Sequence, residues 1–224
     1  MILEIMRAVC GIKVHPTANI GAHAQIGSGA VVESRAVVES GAVVESGAVV
    51  ESGAVVKSRA VIGRGAFIGR RSVVESRAVI GHRAFISRGA VIGRRSVIGR
   101  EAFIGRRAVI GSWAVIGCEA YVGCGVIVKS NGVVGIKACV EDWARISLPI
   151  SGTVFYLEPY SITVTDTHLR IGCCWKSVKE WESLTQEEAV KMGLPKEKYK
   201  LYRHMFEHIR DMLELCREEK EAAR

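Results

Sequence analysis

Ala36-Val37-Val38-Glu39-Ser40-Gly41, Ala42-Val43-Val44-Glu45-Ser46-Gly47 and Ala48-Val49-Val50-Glu51-Ser52-Gly53 are three identical hexads in a row. Extending their frame in both directions decides the fold. From Val14 to Ile146 every sixth residue, 23 places in all, is Val or Ile. Two residues before each stands Ala in most units, as at Ala18, Ala24, Ala30, Ala36 and Ala42. A unit this short buries its apolar side only by stacking on copies of itself, which is the signature of a solenoid.

A second period of 18 gives the cross-section. From Val31 to Cys139 the residue before each Val or Ile is also apolar, and one series taken 18 apart runs Val31, Val49, Phe67, Phe85, Phe103 and Tyr121. The other two, Val37, Val55, Val73, Val91, Val109, Ile127 and Val43, Val61, Val79, Val97, Val115, Val133, hold only Val and Ile. Aromatics confined to one series imply three hexads per turn, a triangular prism. Each hexad reads as a three-residue strand with Ala in, the middle residue out and Val or Ile in. A three-residue corner follows, where Gly and small polar residues suit the backbone. With turns stacked about 4.8 Å apart, nearly eight of them make a rod of roughly 37 Å.

Blocks such as Ala90-Val91-Ile92-Gly93-Arg94-Arg95, together with the opening Val14-His15-Pro16-Thr17-Ala18-Asn19-Ile20-Gly21, resemble the hexapeptide-repeat family. That resemblance covers roughly residues 14–151. It implies an all-β solenoid, the left-handed triangular parallel β-helix of about eight coils, and a homo-oligomer, most often a trimer. The expected organisation is an N-terminal cap at 1–13, the β-helix at 14–151, and an irregular β segment with C-terminal helices at 152–224.

After Ile146 the repeat fails, and Pro149, Gly152 and Pro159 punctuate the chain. Thr185 with Glu188 three residues on predicts a capping box. From Tyr199 a longer helix carries Tyr202, Met205, Phe206, Ile209, Met212, Leu213 and Cys216 on one stripe. Leu169-Arg170-Ile171-Gly172-Cys173, with Glu180-Trp181 and Glu187-Glu188, resembles a C-terminal module of bacterial and bacteriophage repeat proteins. Where that module usually has His, this chain has Trp175-Lys176-Ser177.

No apolar run reaches the roughly 18–20 residues that span a bilayer, and Met1 to Lys13 lacks a signal-peptide layout. The seven Cys, at 10, 118, 124, 139, 173, 174 and 216, are odd in number and lack zinc-finger spacing. Free thiols, a cytoplasmic location and no membrane association are therefore expected.

Charge is the strongest functional hint. Residues 59–107 hold twelve Arg and no Lys, against only Glu75 and Glu101, whereas the whole chain carries +8. Upstream, Glu33, Glu39, Glu45 and Glu51 occupy the corners instead. In the 18-residue frame Arg70, Arg88 and Arg106 follow Phe67, Phe85 and Phe103, while Arg64, His82 and Arg100 precede them. These nine residues form the candidate ligand-binding face: rings to stack on a planar group, guanidinium groups to meet phosphates.

Leaving three Phe and a Tyr in water forgoes about 6–12 kcal/mol, at about 1.5–3 each, so the ladder needs a cover. Two cations 4.8 Å apart repel by only about 1 kcal/mol in water, so the stacked Arg do not by themselves require an anion. Three covers are open: the C-terminal helix, with Glu207, Asp211 and Glu214 approaching the Arg; a second copy, since apolar strips on all three faces exceed what monomers usually expose; or a ligand.

The resemblance also implies how an enzyme would work here. Family transferases place a catalytic His on a coil between subunits and often extrude a substrate loop; this array has no insertion. His82, the single His of the central coils, has no carboxylate near it in sequence to orient it as a base. A β-helical carbonic anhydrase needs three His on adjacent coils, so no metal site is expected, and His204 with His208 lacks a third ligand. The reading reached is a non-catalytic oligomeric scaffold with no cofactor that recognises an anionic ligand, a nucleotide or nucleic acid. Its alternative is an acyl- or acetyltransferase with acyl-coenzyme A as substrate and His82 as base.

Overall fold

The computed structural model describes residues 11–147, 154–157 and 160–222. The expected N-terminal cap and Cys10 fall largely or wholly outside the described residues. Two-residue strands β1 (Lys13–Val14) to β23 (Arg145–Ile146) follow one another every six residues. They form three parallel sheets of eight, eight and seven strands, each strand pairing with the third before and the third after it. The rod therefore has between seven and eight turns. Phe67 lies opposite Phe85, Phe85 opposite Phe103, and Phe103 opposite Tyr121, which fixes the 18-residue frame.

The alternation follows the pleat. Ala and Val or Ile of each hexad are buried from Ala30 and Val32 up to Ala138 and Val140, all at most 1% exposed, and Ile146 is buried likewise. Each buried Val or Ile contributes about 1.5–3 kcal/mol, so stability accumulates turn by turn. Where Ser replaces the inward Ala, at Ser72 and Ser96, the hydroxyl donates to the carbonyls of Gly69 (2.5 Å) and Gly93 (2.7 Å). No polar group is thereby orphaned.

The corners differ from the sequence expectation. The residue before each Ala adopts positive φ, and small residues share that place with Arg59, Arg71, Arg77, Arg83, Arg95 and Arg107, all at φ between +54° and +62°. A non-glycine residue there costs roughly 1–2 kcal/mol. The offset is a backbone bond to the turn below, as from Arg83 N to Arg64 O at 2.9 Å and from Arg107 N to Arg88 O at 3.2 Å.

Beyond the rod, the expected irregular β segment is an antiparallel sheet. Strands β24 (Val154–Leu157), β25 (Tyr160–Val164), β26 (His168–Ile171) and β27 (Cys174–Ser177) pair in sequence order. Helices α1 (Val178–Ser183), α2 (Gln186–Lys191) and α3 (Tyr199–Ala222) follow. The Thr185–Glu188 capping box is formed, and Ser177 with Glu180 makes a second on α1.

The α3 stripe does not cover the aromatic ladder. Tyr202, Phe206, Ile209 and Leu213 are buried against Ile162, Val164, Leu169, Ile171 and Trp181 of the same C-terminal module. Asp211 pairs with Arg210 at 2.6 Å and Glu207 approaches Arg203 at 3.9 Å, not the rod's Arg corners. The amphipathic pattern showed that a partner was needed but not which one, and the nearer sheet supplies it.

The module sits on the last turn. The Cys139 N–H donates to Thr163 Oγ1 (3.3 Å), the Ser147 N–H to Asp166 Oδ1 (2.9 Å), and the Asp166 N–H to Arg145 O (3.2 Å). Arg170 Nη1 pairs with the Glu141 carboxylate.

Candidate active site

The ladder is a continuous stack. Ring centroids lie 4.6 Å apart for Phe67–Phe85, 5.3 Å for Phe85–Phe103 and 5.1 Å for Phe103–Tyr121, with planes within 5° of parallel. Such spacing leaves no gap for an inserted base, so the rings present edges outward instead of faces. Phe85 is 39% and Tyr121 40% exposed. Mutual stacking already removes part of each ring from water, which reduces the need for an external cover. Burial pushes the Tyr121 hydroxyl above its ordinary pKa, and nearby Asp142 adds to the shift.

The flanking corners hold the cations where the 18-residue frame puts them. Arg64, His82 and Arg100 rise on one side and Arg70, Arg88 and Arg106 on the other, all exposed. Backbone bonds lock both columns: His82 O accepts from Glu101 N at 2.9 Å, and Arg70 O from Gly89 N at 2.9 Å. Glu101 lies 3.9 Å from Arg100 and 3.7 Å from Arg83. Among the described residues the side chains of Arg70, Arg88 and Arg106 make no ion pair.

His82, with no carboxylate near it in sequence, has one near it in space. Glu45 Oε2 lies 3.6 Å from His82 Nδ1. Between them the Arg64 N–H donates to Glu45 Oε2 at 2.9 Å and to His82 Nδ1 at 3.2 Å. Glu45 stands one turn below Gly63 and two below Gly81, the residue before His82. Stepping by 18 from Gly81 would have found it.

The other corner glutamates serve the backbone. Glu33 takes the Ser52 N–H (3.2 Å), Glu39 the Ser58 N–H (3.0 Å) and Glu51 the Arg70 N–H (2.9 Å). The acidic end is thus a set of backbone acceptors, each reaching one turn up.

Beside His82 a depression of about 450 Å³ is lined by Gln25, Val43, Glu45, Ser46, Arg64 and His82, together with Ile26, Gly27 and Val44. Among the described residues no three His, Cys, Asp or Glu side chains converge on a metal position. His168 stacks on Trp175 at 5.2 Å and shares a hydrogen bond with Thr167, while His204 faces Glu207 at 3.6 Å. No helix among the described residues is long and apolar enough to cross a membrane.

Residues 59–94 match the family model described as bacterial transferase hexapeptide (six repeats). A comparison with curated proteins finds no match. Among solved structures, the acetyltransferase domain of PglB from Neisseria gonorrhoeae FA1090, in complex with acetyl coenzyme A, is 23% identical. It aligns over 64% of this chain and 59% of its own, with a TM-score of 0.30. LpxA from Acinetobacter baumannii is 13% identical over 64% of this chain and 67% of its own, with a TM-score of 0.45. The UDP-N-acetylglucosamine acyltransferase from Campylobacter jejuni is 14% identical over 87% and 83%, with a TM-score of 0.33. This chain thus spans 59% of the length of the gonococcal domain structure.

The matched segment overturns the reading as a non-catalytic anion-binding scaffold. The family model is one of transferases, and residues 59–94 contain His82, Arg64, Arg70, Arg88, Phe67 and Phe85. The flat, stacked rings also remove the stacking surface on which nucleotide recognition was to rest. In its repeat and strand register the chain folds as a left-handed parallel β-helix, and over residues 59–94 it is similar to the hexapeptide-repeat transferases.

Proposed function

We propose that this chain is an acyltransferase that moves an acyl group from acyl-coenzyme A to a small acceptor at the His82 corner. The observation that carries the reading is the Glu45–His82 pair, 3.6 Å apart, beside a depression of about 450 Å³, within a rod whose residues 59–94 match a transferase family. In the tautomer that carries its proton on Nδ1, turned to Glu45, with the Arg64 N–H left to Glu45 alone, His82 Nε2 takes the proton from the acceptor's O–H or N–H as that atom attacks the thioester carbonyl carbon. The C–S bond then breaks, and the sulfur leaves as a thiolate that receives the proton back from His82. The pair is 60% and 38% exposed at its side chains, so its attraction is worth only about 0–1 kcal/mol. Glu45 is therefore a positioning residue.

The unpaired guanidinium groups of Arg70, Arg88 and Arg106 suit the donor's phosphates. A trimer completes the site. Val79, Val97, Val115 and Val133 are 40–54% exposed in one strip, on the sheet that borders the His82 corner, so a second copy seated there would wall the depression. Chromatographic measurement of coenzyme A released from acetyl-coenzyme A, across amine and hydroxyl acceptors, tests the reading. His82→Ala should lower turnover at least about 100-fold with the circular dichroism spectrum unchanged. Turnover that persists in His82→Ala rules out the base.

A further inference from the structure

We propose that Cys173 and Cys174 form a vicinal dithiol site that captures one trivalent arsenical. Adjacent side chains of an extended strand point to opposite faces, so neighbouring cysteines do not ordinarily bring their sulfurs together. Here a two-residue turn intervenes. β26 and β27 pair with Ile171 opposite Cys174, and Gly172 at φ +57° reverses the chain. Cys173 is thereby swung over the start of β27, and the two Sγ atoms stand 3.9 Å apart. Among the described residues no other pair of sulfurs comes this close.

The site is open and already assembled. Cys173 is exposed and Cys174 half-buried on the flank of the module core. Arg170 braces the turn: its Nε donates to Gly172 O at 3.0 Å, and its Nη1 reaches Cys139 Sγ at 2.6 Å and the Glu141 carboxylate on the rod's last turn. Bringing two donors together in advance removes much of the ordering cost of chelation, and soft sulfur ligands favour soft centres. Burial, with the neighbouring Cys173 sulfur, holds the Cys174 thiol above its ordinary pKa.

The condensation consumes the two cysteines as S–H groups. Two S–H bonds and the arsenic–oxygen bonds of an arsenic(III) oxide break, two As–S bonds form, and both protons leave with the oxygen as one water. Arsenic remains trivalent and no electron is transferred.

The probe is phenylarsine oxide, added to the reduced full chain and followed by intact mass. The expected result is one adduct per chain, equal to the reagent less one water. It should persist in excess 2-mercaptoethanol and be stripped by 2,3-dimercaptopropanol, because a dithiol competes with the chelate and a monothiol does not. Cys173→Ser and Cys174→Ser should each abolish the monothiol-resistant adduct, while Cys118→Ser retains it. A reduced wild-type chain with no such adduct, or one that survives in both Ser variants, overturns the proposal. Neither result touches the transferase reading, which uses none of these residues.

Discussion

At the scale of single residues, the corner that holds His82 shows how little of a site is local. Glu45 and His82 are 37 positions apart in the chain, yet two turns of stacking bring them to 3.6 Å, with the Arg64 N–H donating to both. The Arg and Phe columns were legible in the sequence because they recur in the 18-residue frame. The Glu45–His82 contact lies one step off that frame: it runs diagonally between turns, from a first corner position to a second, so no single column displays it. Glu45→Gln separates the carboxylate's two tasks: the amide oxygen still accepts the Arg64 N–H, but the charge facing His82 is gone. Turnover is expected to fall about threefold to fivefold, the worth of an exposed pair, with KM for the acyl donor unchanged. Steady-state kinetics on the purified variant check this, and equal kcat values would reduce Glu45 to a backbone acceptor.

At the scale of the element, two kinds of corner glycine behave differently. A Cβ on Gly105 would lie 2.4 Å from the backbone C and O of Gly123, where nothing flexible can yield. Gly105→Ala is therefore expected to destabilise the rod by about 1–3 kcal/mol, as overpacking does. Gly47 has open space around its missing Cβ and only its φ of +67° to defend. Its column carries Arg83 one and Glu101 two turns above Gly65 at similar φ, so Gly47→Ala should cost no more than about 1–2 kcal/mol. Chemical denaturation midpoints should rank the two variants in that order, and the reverse ranking would refute the account of the corners. The strand-and-corner pattern could be read directly because each hexad repeats one packing rule. The C-terminal sheet could not, because its strands are few, never repeat, and are defined by pairing with one another. The α3 stripe was legible as apolar, but its docking on β25 and β26 depended on that unseen sheet.

At the scale of the whole molecule, rod and module answer differently to acid. The rod's core is Ala, Val and Ile and does not titrate. The module's helices begin on Glu180 and Glu188, whose pKa values are lowered, the first by the Ser177 hydroxyl and N–H, the second by the Thr185 N–H and hydroxyl. A depressed carboxylate contributes stability that is present above its ordinary pKa and lost as pH falls through its folded value. Acidification from neutrality to below the ordinary Glu range should therefore loosen α1 and α2 while the rod persists. Helical ellipticity would decline before the β signal, and Glu180→Gln with Glu188→Gln should flatten that difference; an unchanged pH profile in the double variant would exclude the capping boxes as its cause. A stack of parallel strands has no internal reason to stop, since its last turn offers the same unpaired edge that each earlier turn offered its successor. Thr163, Asp166 and Arg170 occupy that edge. At its upper end, then, the module works as a terminator, and it keeps a self-templating stack a discrete particle instead of the seed of a fibre.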